Sequence, residues 1–258
     1  MRRNTMWRLI AVLLAAFVAA GCTTAPAPAA APSEAGEAAA PAGEQVLLRL
    51  ATVSEPSTLD PNLAEDNYSI TPIEQMFLGL TNINNETAEI EPELAESWSV
   101  SEDGTVWTFN LRQDAMWSDG NPVTAHDVEY SAKRAVMPET ASPYAYVLYI
   151  IKNAAAINQT AVPTDTYDID TLGVRAIDDY TVEFTLEAPA AYFGSISSMW
   201  TLRPVPSWAI EEFGDAWTDP ANIVVSGPYK LAEWRPGEKL IYEKNPDYFN
   251  ADEVQIDR

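Results

Sequence analysis

Three stretches of this chain alternate with a period of two around tight turns, and that pattern restricts the fold more than any other feature. In "WSVSEDGTVWTFNLR", Val106, Thr108 and Asn110 alternate with Trp107, Phe109 and Leu111, and Asp103-Gly104 makes the turn. In "LGVRAIDDYTVEFTLEAP", Val182, Phe184 and Leu186 alternate with Thr181, Glu183 and Thr185 across Asp178-Asp179. In "GPYKLAEWRPGEKLIYEKN", Pro236-Gly237 separates two further strands. Successive strand side chains point to opposite faces, so such alternation describes sheets with one buried face. Strands joined in hairpins rather than by helical crossovers place the chain in the α+β class.

The segments between the hairpins read as helices and loops. Residues 46–53, VLLRLATV, are strand-like, and the loop SEPSTLDPNLAEDN follows them. Ile70 to Leu80 reads as a short helix with Thr71 at the N-cap and Pro72 at its first position. Thr124 followed by Asp127 is close to a capping box, and Ala125, Val128, Ala132 and Ala135 then form one apolar stripe. Further helices are expected over Tyr144 to Ile157 and Pro206 to Phe213. No internal repeat is present.

The first 45 residues concern location, not fold. Arg2, Arg3 and Arg8 precede the apolar run LIAVLLAAFVAA and then Gly21-Cys22, the pattern of a secretory leader over residues 1–21. Twelve apolar residues rise about 18 Å as a helix, well short of the ~30 Å hydrocarbon core. Ala19-Ala20-Gly21-Cys22 resembles a bacterial lipobox, which implies cleavage before Cys22 and its lipidation. Cys22 is the only cysteine, so no internal disulfide can form. Residues 22–45, rich in Ala and Pro and free of aromatics, read as a tether. The net charge is −23, and the leader holds three of the fifteen basic residues and no acid, so the chain from Cys22 onward is near −26. Such a surface repels phosphate backbones and excludes nucleic acid as a natural partner. Solubility alone accounts for such a charge, which also attracts cationic groups, among them a peptide's amino terminus.

The sequence lacks the constellations of a catalyst. His126 is the only histidine and falls in the first turn of its helix, and the one cysteine lies at the leader boundary, which rules out a Cys-His pair. No G-x-S-x-G, phosphate-binding loop, dinucleotide fingerprint or metal-spaced His/Cys cluster occurs. Thirty-eight acids make chance carboxylate pairs inevitable, so paired carboxylates carry no information. Eight Trp and eleven Tyr serve chiefly as core rings, and with no catalytic motif beside them they also suit a ligand-binding surface. No catalytic residue, metal or cofactor is expected.

Residues 91–136, "EPELAESWSVSEDGTVWTFNLRQDAMWSDGNPVTAHDVEYSAKRAV", resemble the hallmark segment of the family 5 extracellular solute-binding proteins, the peptide-, dipeptide- and nickel-binding components of ABC importers. "DTLGVRAIDDYTVEFTLEAPAAYF" and "PVPSWAIEEFGDAWTDPANIVVSGPYKLAEWRPGEKLIYEKNPDYFN" extend the likeness, and "TASPYA" and "PANIV" resemble the oligopeptide-binding branch. The resemblance implies a type II periplasmic-binding-protein fold, a two-lobed clamp. Here it implies the N-terminal lobe with its inserted subdomain: residues 46–80 and 190–258 as an incomplete lobe I, and 81–189 as the insert. It implies ligand contacts at Tyr144 of the Ser-Pro-Tyr element, and at Glu65 and Asn67 in the loop after "LDP". The implied function is capture of extended oligopeptides by a monomeric lipoprotein, held extracytoplasmically at the cytoplasmic membrane's outer face or in the periplasm, for delivery to permease and ATPase subunits of an importer. Alternatives are the same fold holding a dipeptide, nickel, heme, an opine or an oligosaccharide, a sensor lipoprotein, or a secreted hydrolase. The chain is about half the family's usual length, which leads us to expect a fragment or a broken gene, and weak binding by this chain alone.

Overall fold

In the computed structural model, residues 45–161 and 166–258 are described; the leader, Cys22 and most of the tether lie outside them. The elements run α1 (Asn67–Met76), β1 (Thr81–Ile83), β2 (Ile90–Pro92), β3 (Ala95–Val100), β4 (Val106–Leu111), α2 (Ala125–Val136), α3 (Ala154–Asn158), β5 (Val174–Asp178), β6 (Thr181–Thr185), α4 (Phe193–Ile196), α5 (Ser207–Phe213), β7 (Tyr229–Arg235) and β8 (Lys239–Lys244). The strands form a four-stranded antiparallel sheet in the order β3-β4-β6-β5 and two separate hairpins, β1-β2 and β7-β8. The three expected hairpins are present; the first and third turn at the expected residues, and the second turns at Asp179-Tyr180, one residue later than expected, because Asp178 still pairs with Thr181.

The buried face of the four-stranded sheet is aromatic because alternation puts large rings on it. Trp107 lies opposite Phe184, and Phe109 opposite Val182. Phe193 of α4 closes over them, its ring centroid 5.6 Å from Trp107 and 5.3 Å from Phe184. Offset and edge-on pairs of this kind add roughly 0.5–1.5 kcal/mol each beyond their area burial. At the β3–β4 turn, Asp103 accepts from the Ser101 hydroxyl and from the Thr105 amide and hydroxyl, bonds that hold its carboxyl below the usual range. Gly104 adopts φ +72° there, a conformation that costs a side-chain-bearing residue strain.

Helix α2 lies against this sheet. Its capping pair is formed: the Asp127 carboxylate accepts from the Thr124 amide at 2.8 Å and from the Thr124 hydroxyl at 3.1 Å, and the Asp127 amide donates to the Thr124 carbonyl at 3.1 Å. The expected stripe Ala125, Val128, Ala132 and Ala135 is fully buried. The small side chains bring α2 close to β5, where Glu129 accepts from the Ala176 amide at 2.7 Å.

Three expectations are corrected. Helix α1 starts at Asn67, not near Thr71, because Asp66 is the better cap: its carboxylate accepts from the amides of Tyr68 and Ser69 and from the hydroxyls of Ser57 and Ser69. The helix ends at Met76, whose carbonyl is taken by the amides of Ser226 and Gly227, so it does not reach Leu80. The long helix over Tyr144 to Ile157 is absent. Residues 145–148 form one 3₁₀ turn, and α3 is short, because the backbone between them pairs with the sheet. The Lys152 amide donates to Thr185 at 2.9 Å, Glu187 donates to Ile150 at 2.8 Å, and Asn153 takes φ +65°.

The third correction concerns residues 46–53, which form no strand. Only their first residues pair: Leu48 donates to Arg258 at 3.0 Å, and Asp257 donates to Val46 at 2.9 Å. Leu50 and Val53 are 78% and 92% exposed. The amides of residues 49–53 have no acceptor among the described residues.

Two outcomes follow. Hydrogen exchange will replace the amides of residues 49–53 at least roughly a hundredfold faster than those of β4, whose ladder opens only with the sheet. Asp66→Ala will lower stability to urea by about 1 kcal/mol through loss of the cap, while Thr71→Ala stays within about 0.5 kcal/mol.

Candidate functional site

The loop after "LDP" is built on a buried ion pair. Arg134, on α2, donates from Nη2 to Asp60 Oδ2 at 2.6 Å, and from Nη1 to Asp60 Oδ1 at 2.9 Å and Asn62 Oδ1 at 2.7 Å. The Asp60 side chain is only 4% exposed. Trp217 Nε1 donates to Asp60 Oδ2 at 3.2 Å, and the amide of Asn62 donates to Oδ1 at 2.9 Å. The amides of Leu63 and Ala64 both donate to the Asp60 carbonyl, which turns the chain so that Glu65 faces solvent. A bidentate Arg–carboxylate pair fixes direction as well as distance.

A second contact carries this loop to Tyr144. Asn62 Nδ2 donates to the Thr201 carbonyl at 2.9 Å, and Trp200 Nε1 donates to the Ala64 carbonyl at 2.9 Å. The Trp200 indole then meets the Tyr144 ring edge-on, 4.9 Å between centroids. Residue 200 thus touches the neighbour of Glu65 with its nitrogen and Tyr144 with its ring. Tyr144 itself enters the 3₁₀ turn 145–148 with φ −107° and ψ 9°, just after the Ser142-Pro143 step, and its ring is half-buried. On its other side lies Tyr146, 5.5 Å between centroids.

The expected contact residues are therefore placed as follows. Glu65 is exposed at the end of the fixed loop. Asn67 is exposed at the first residue of α1. Tyr144 shares Trp200 with the Ala64 carbonyl. Sequence reasoning missed Trp200, Arg134 and Asp60. Trp200 is 136 residues from Ala64, and nothing in "SSMWTLRP" signals that proximity. Arg134 had a usable signal, a cation beside an apolar helical stripe in a chain with few bases.

Other features are set apart from this region. A shallow hollow of about 520 Å³ lies at one end of the four-stranded sheet, lined by Glu96, Asn110, Gln113, Asp179 and Tyr180 among others, and shares no residue with the site just described. His126 is exposed, with Nε2 3.4 Å from Asp179. Among the described residues no group of three or more His, Cys, Asp or Glu side chains is arranged to hold a metal ion, and no helix is long and apolar enough to cross a membrane.

The profile of bacterial extracellular solute-binding proteins, family 5 (middle), matches residues 89–258. The chain belongs to this family. The periplasmic oligopeptide-binding protein OppA of Salmonella typhimurium is 40% identical over 97% of the chain, and the chain covers 44% of that protein. A probable deoxycholate-binding periplasmic protein of Escherichia coli, YgiS, is 38% identical over 82% of the chain and 39% of its own length. The crystal structure of Haemophilus influenzae OppA in complex with the peptide RPPGFSPFR is 37% identical, with a TM-score of 0.73 over 79% of this chain and 39% of that one. The family 5 chain thus spans less than half the length of these relatives. Its mixed helix-and-hairpin architecture is that of part of a type II periplasmic binding protein, as expected from the sequence. The family is one of solute binders and not of enzymes.

Removal of Arg134 tests the construction of the site. Arg134→Leu leaves the Asp60 carboxylate buried without its partner, and urea unfolding will show a loss of about 3–5 kcal/mol. Trp200→Phe keeps the ring contact but drops the bond to Ala64, and will cost only about 1 kcal/mol.

Proposed function

We propose that this chain is the ligand-facing part of a substrate-binding lipoprotein that captures extended oligopeptides for the permease and ATPase subunits of an ABC importer. In this reading residues 46–80 and 190–258 belong to lobe I and residues 81–189 to its inserted subdomain. Cys22 carries the lipid, and the Ala/Pro-rich tether holds the monomeric domain extracytoplasmically, at the outer face of the cytoplasmic membrane or in the periplasm. Glu65, Asn67 and Tyr144 contact the ligand.

The observation that carries the reading is the double hold of Trp200, on the Ala64 carbonyl and on the Tyr144 ring, which keeps an exposed main-chain segment and a phenol at a fixed spacing. An extended peptide can pair with such a segment through its backbone, in the manner of an added strand, whatever its side chains. The Tyr144 hydroxyl has no partner among the described residues and is free to donate to a peptide carbonyl. Capture breaks no bond. The net charge of −23 favours the peptide's amino terminus over its carboxylate in the encounter. Relatives named for oligopeptide binding support the peptide assignment. A second reading, a sterol-acid or other non-peptide solute in the same place, is favoured by the relative named as a probable deoxycholate binder.

The test is ¹⁹F NMR of the chain from Cys22 to Arg258 labelled with 3-fluorotyrosine, the Tyr144 signal being assigned by its loss in Tyr144→Phe. Tri-alanine will shift that signal saturably, with a dissociation constant on the order of 1 mM, because so short a peptide makes few contacts with Glu65, Asn67 and Tyr144. Glu65→Ala will weaken the response. A response to submicellar deoxycholate and not to tri-alanine supports the second reading. Silence toward both at roughly 10 mM defeats the site.

A further inference from the structure

Tyr146 is 57% exposed, although the turn that carries it is rigidly seated: its neighbours Ala145 and Leu148 are buried at 2% and 0% exposure. Its carbonyl accepts from the Tyr149 amide at 3.3 Å, and its ring centroid lies 5.5 Å from that of Tyr144. Three rings therefore run outward in a ladder: Trp200, anchored to Ala64; Tyr144, half-buried; and Tyr146, facing solvent. Neither tyrosine hydroxyl has a hydrogen-bond partner among the described residues. Two further polar atoms nearby in sequence, Ser142 Oγ and Thr201 Oγ1, are buried without one. A large ring held rigid yet left wet is a surface that gains on being covered.

We propose that Tyr146 forms the floor of a side-chain subsite beside Tyr144, which selects extended peptides carrying an aromatic or large aliphatic side chain. The proposal rests on the peptide-binding reading above and adds a preference to it. The spacing fits. An extended peptide advances about 3.3 Å per residue. A residue whose carbonyl meets the Tyr144 hydroxyl thus leaves a side chain one or two positions along within reach of the neighbouring ring, whose centroid is 5.5 Å from that of Tyr144. The ring offers an apolar face and carries no charge, so it recognises shape and hydrophobicity and leaves the main-chain contacts to Glu65 and Tyr144. Tyr146 lies on the same ring ladder as those contacts, which is why the occupant is a side chain of the same ligand and not a separate molecule.

The test compares Ala-Ala-Ala with Ala-Phe-Ala on the fluorotyrosine-labelled chain, with Tyr146→Ala and Tyr146→Phe as variants. Because Tyr146 is exposed, both variants keep the fold, which the unchanged remaining ¹⁹F signals will verify. Ala-Phe-Ala will bind about three- to tenfold more tightly than Ala-Ala-Ala, the range of one aromatic pair. Tyr146→Phe will retain the preference. Tyr146→Ala will abolish it while leaving Ala-Ala-Ala affinity unchanged. Equal binding of the two peptides, or a preference that survives Tyr146→Ala, overturns the subsite and leaves the peptide-binding reading standing. Binding of neither peptide overturns both.

Discussion

The buried pair of Asp60 and Arg134 is the interaction on which the arrangement depends. It joins the loop before α1 to the last turn of α2, residues 74 apart in sequence, with two short charge-assisted bonds. Desolvating both charges is costly, and the pair is tolerable because every strong acceptor position is used: Trp217 and the Asn62 amide complete the Asp60 carboxylate. The consequence is geometric rather than energetic. With Asp60 fixed, Asn62 reaches Thr201, Ala64 reaches Trp200, and the exposed residues that follow are delivered at a set distance from Tyr144. A second buried pair acts similarly nearby. Arg203 bonds the Phe77 carbonyl and approaches Glu93 at 3.7 Å, while Glu93 accepts from the Gly79 amide at 2.7 Å. Burial raises the Glu93 carboxyl above its usual range despite the nearby guanidinium.

This construction suits a binder. Ligand contacts at loop ends are useful only if the loops are held, and here the holding groups Asp60 and Asn62 are buried while Glu65 and Asn67 are exposed and Tyr144 is half-buried. The family relation, to extracellular solute-binding proteins, points the same way. The chain spans 44% of the length of the Salmonella typhimurium relative.

Much of the architecture was legible because it follows from local rules. The hairpins at Asp103-Gly104, Pro236-Gly237 and, within one residue, Asp178-Asp179, and the capped helix from Thr124, depend on turn chemistry and periodicity over a dozen residues. The failures share one cause, long-range competition for the backbone. Residues 150–152 have a helical neighbourhood but bond to Leu186's flanks, and Met76 gives its carbonyl to residues 226 and 227. VLLRLATV has every local property of a strand, and only its first residues find a pairing edge. Tyr144 and Glu65 were reached through family resemblance. Trp200, which connects them, was not readable, since its two contacts lie 136 and 56 positions away.

The central claim is that the Glu65 loop and Tyr144 address a single extended ligand. Intermolecular nuclear Overhauser effects between a tripeptide and the isotope-labelled chain test it most directly. The account predicts contacts from one bound peptide to both the Glu65 side chain and the Tyr144 ring. Contacts confined to the hollow around Asp179 and Tyr180, with none at Glu65 and Tyr144, would contradict it.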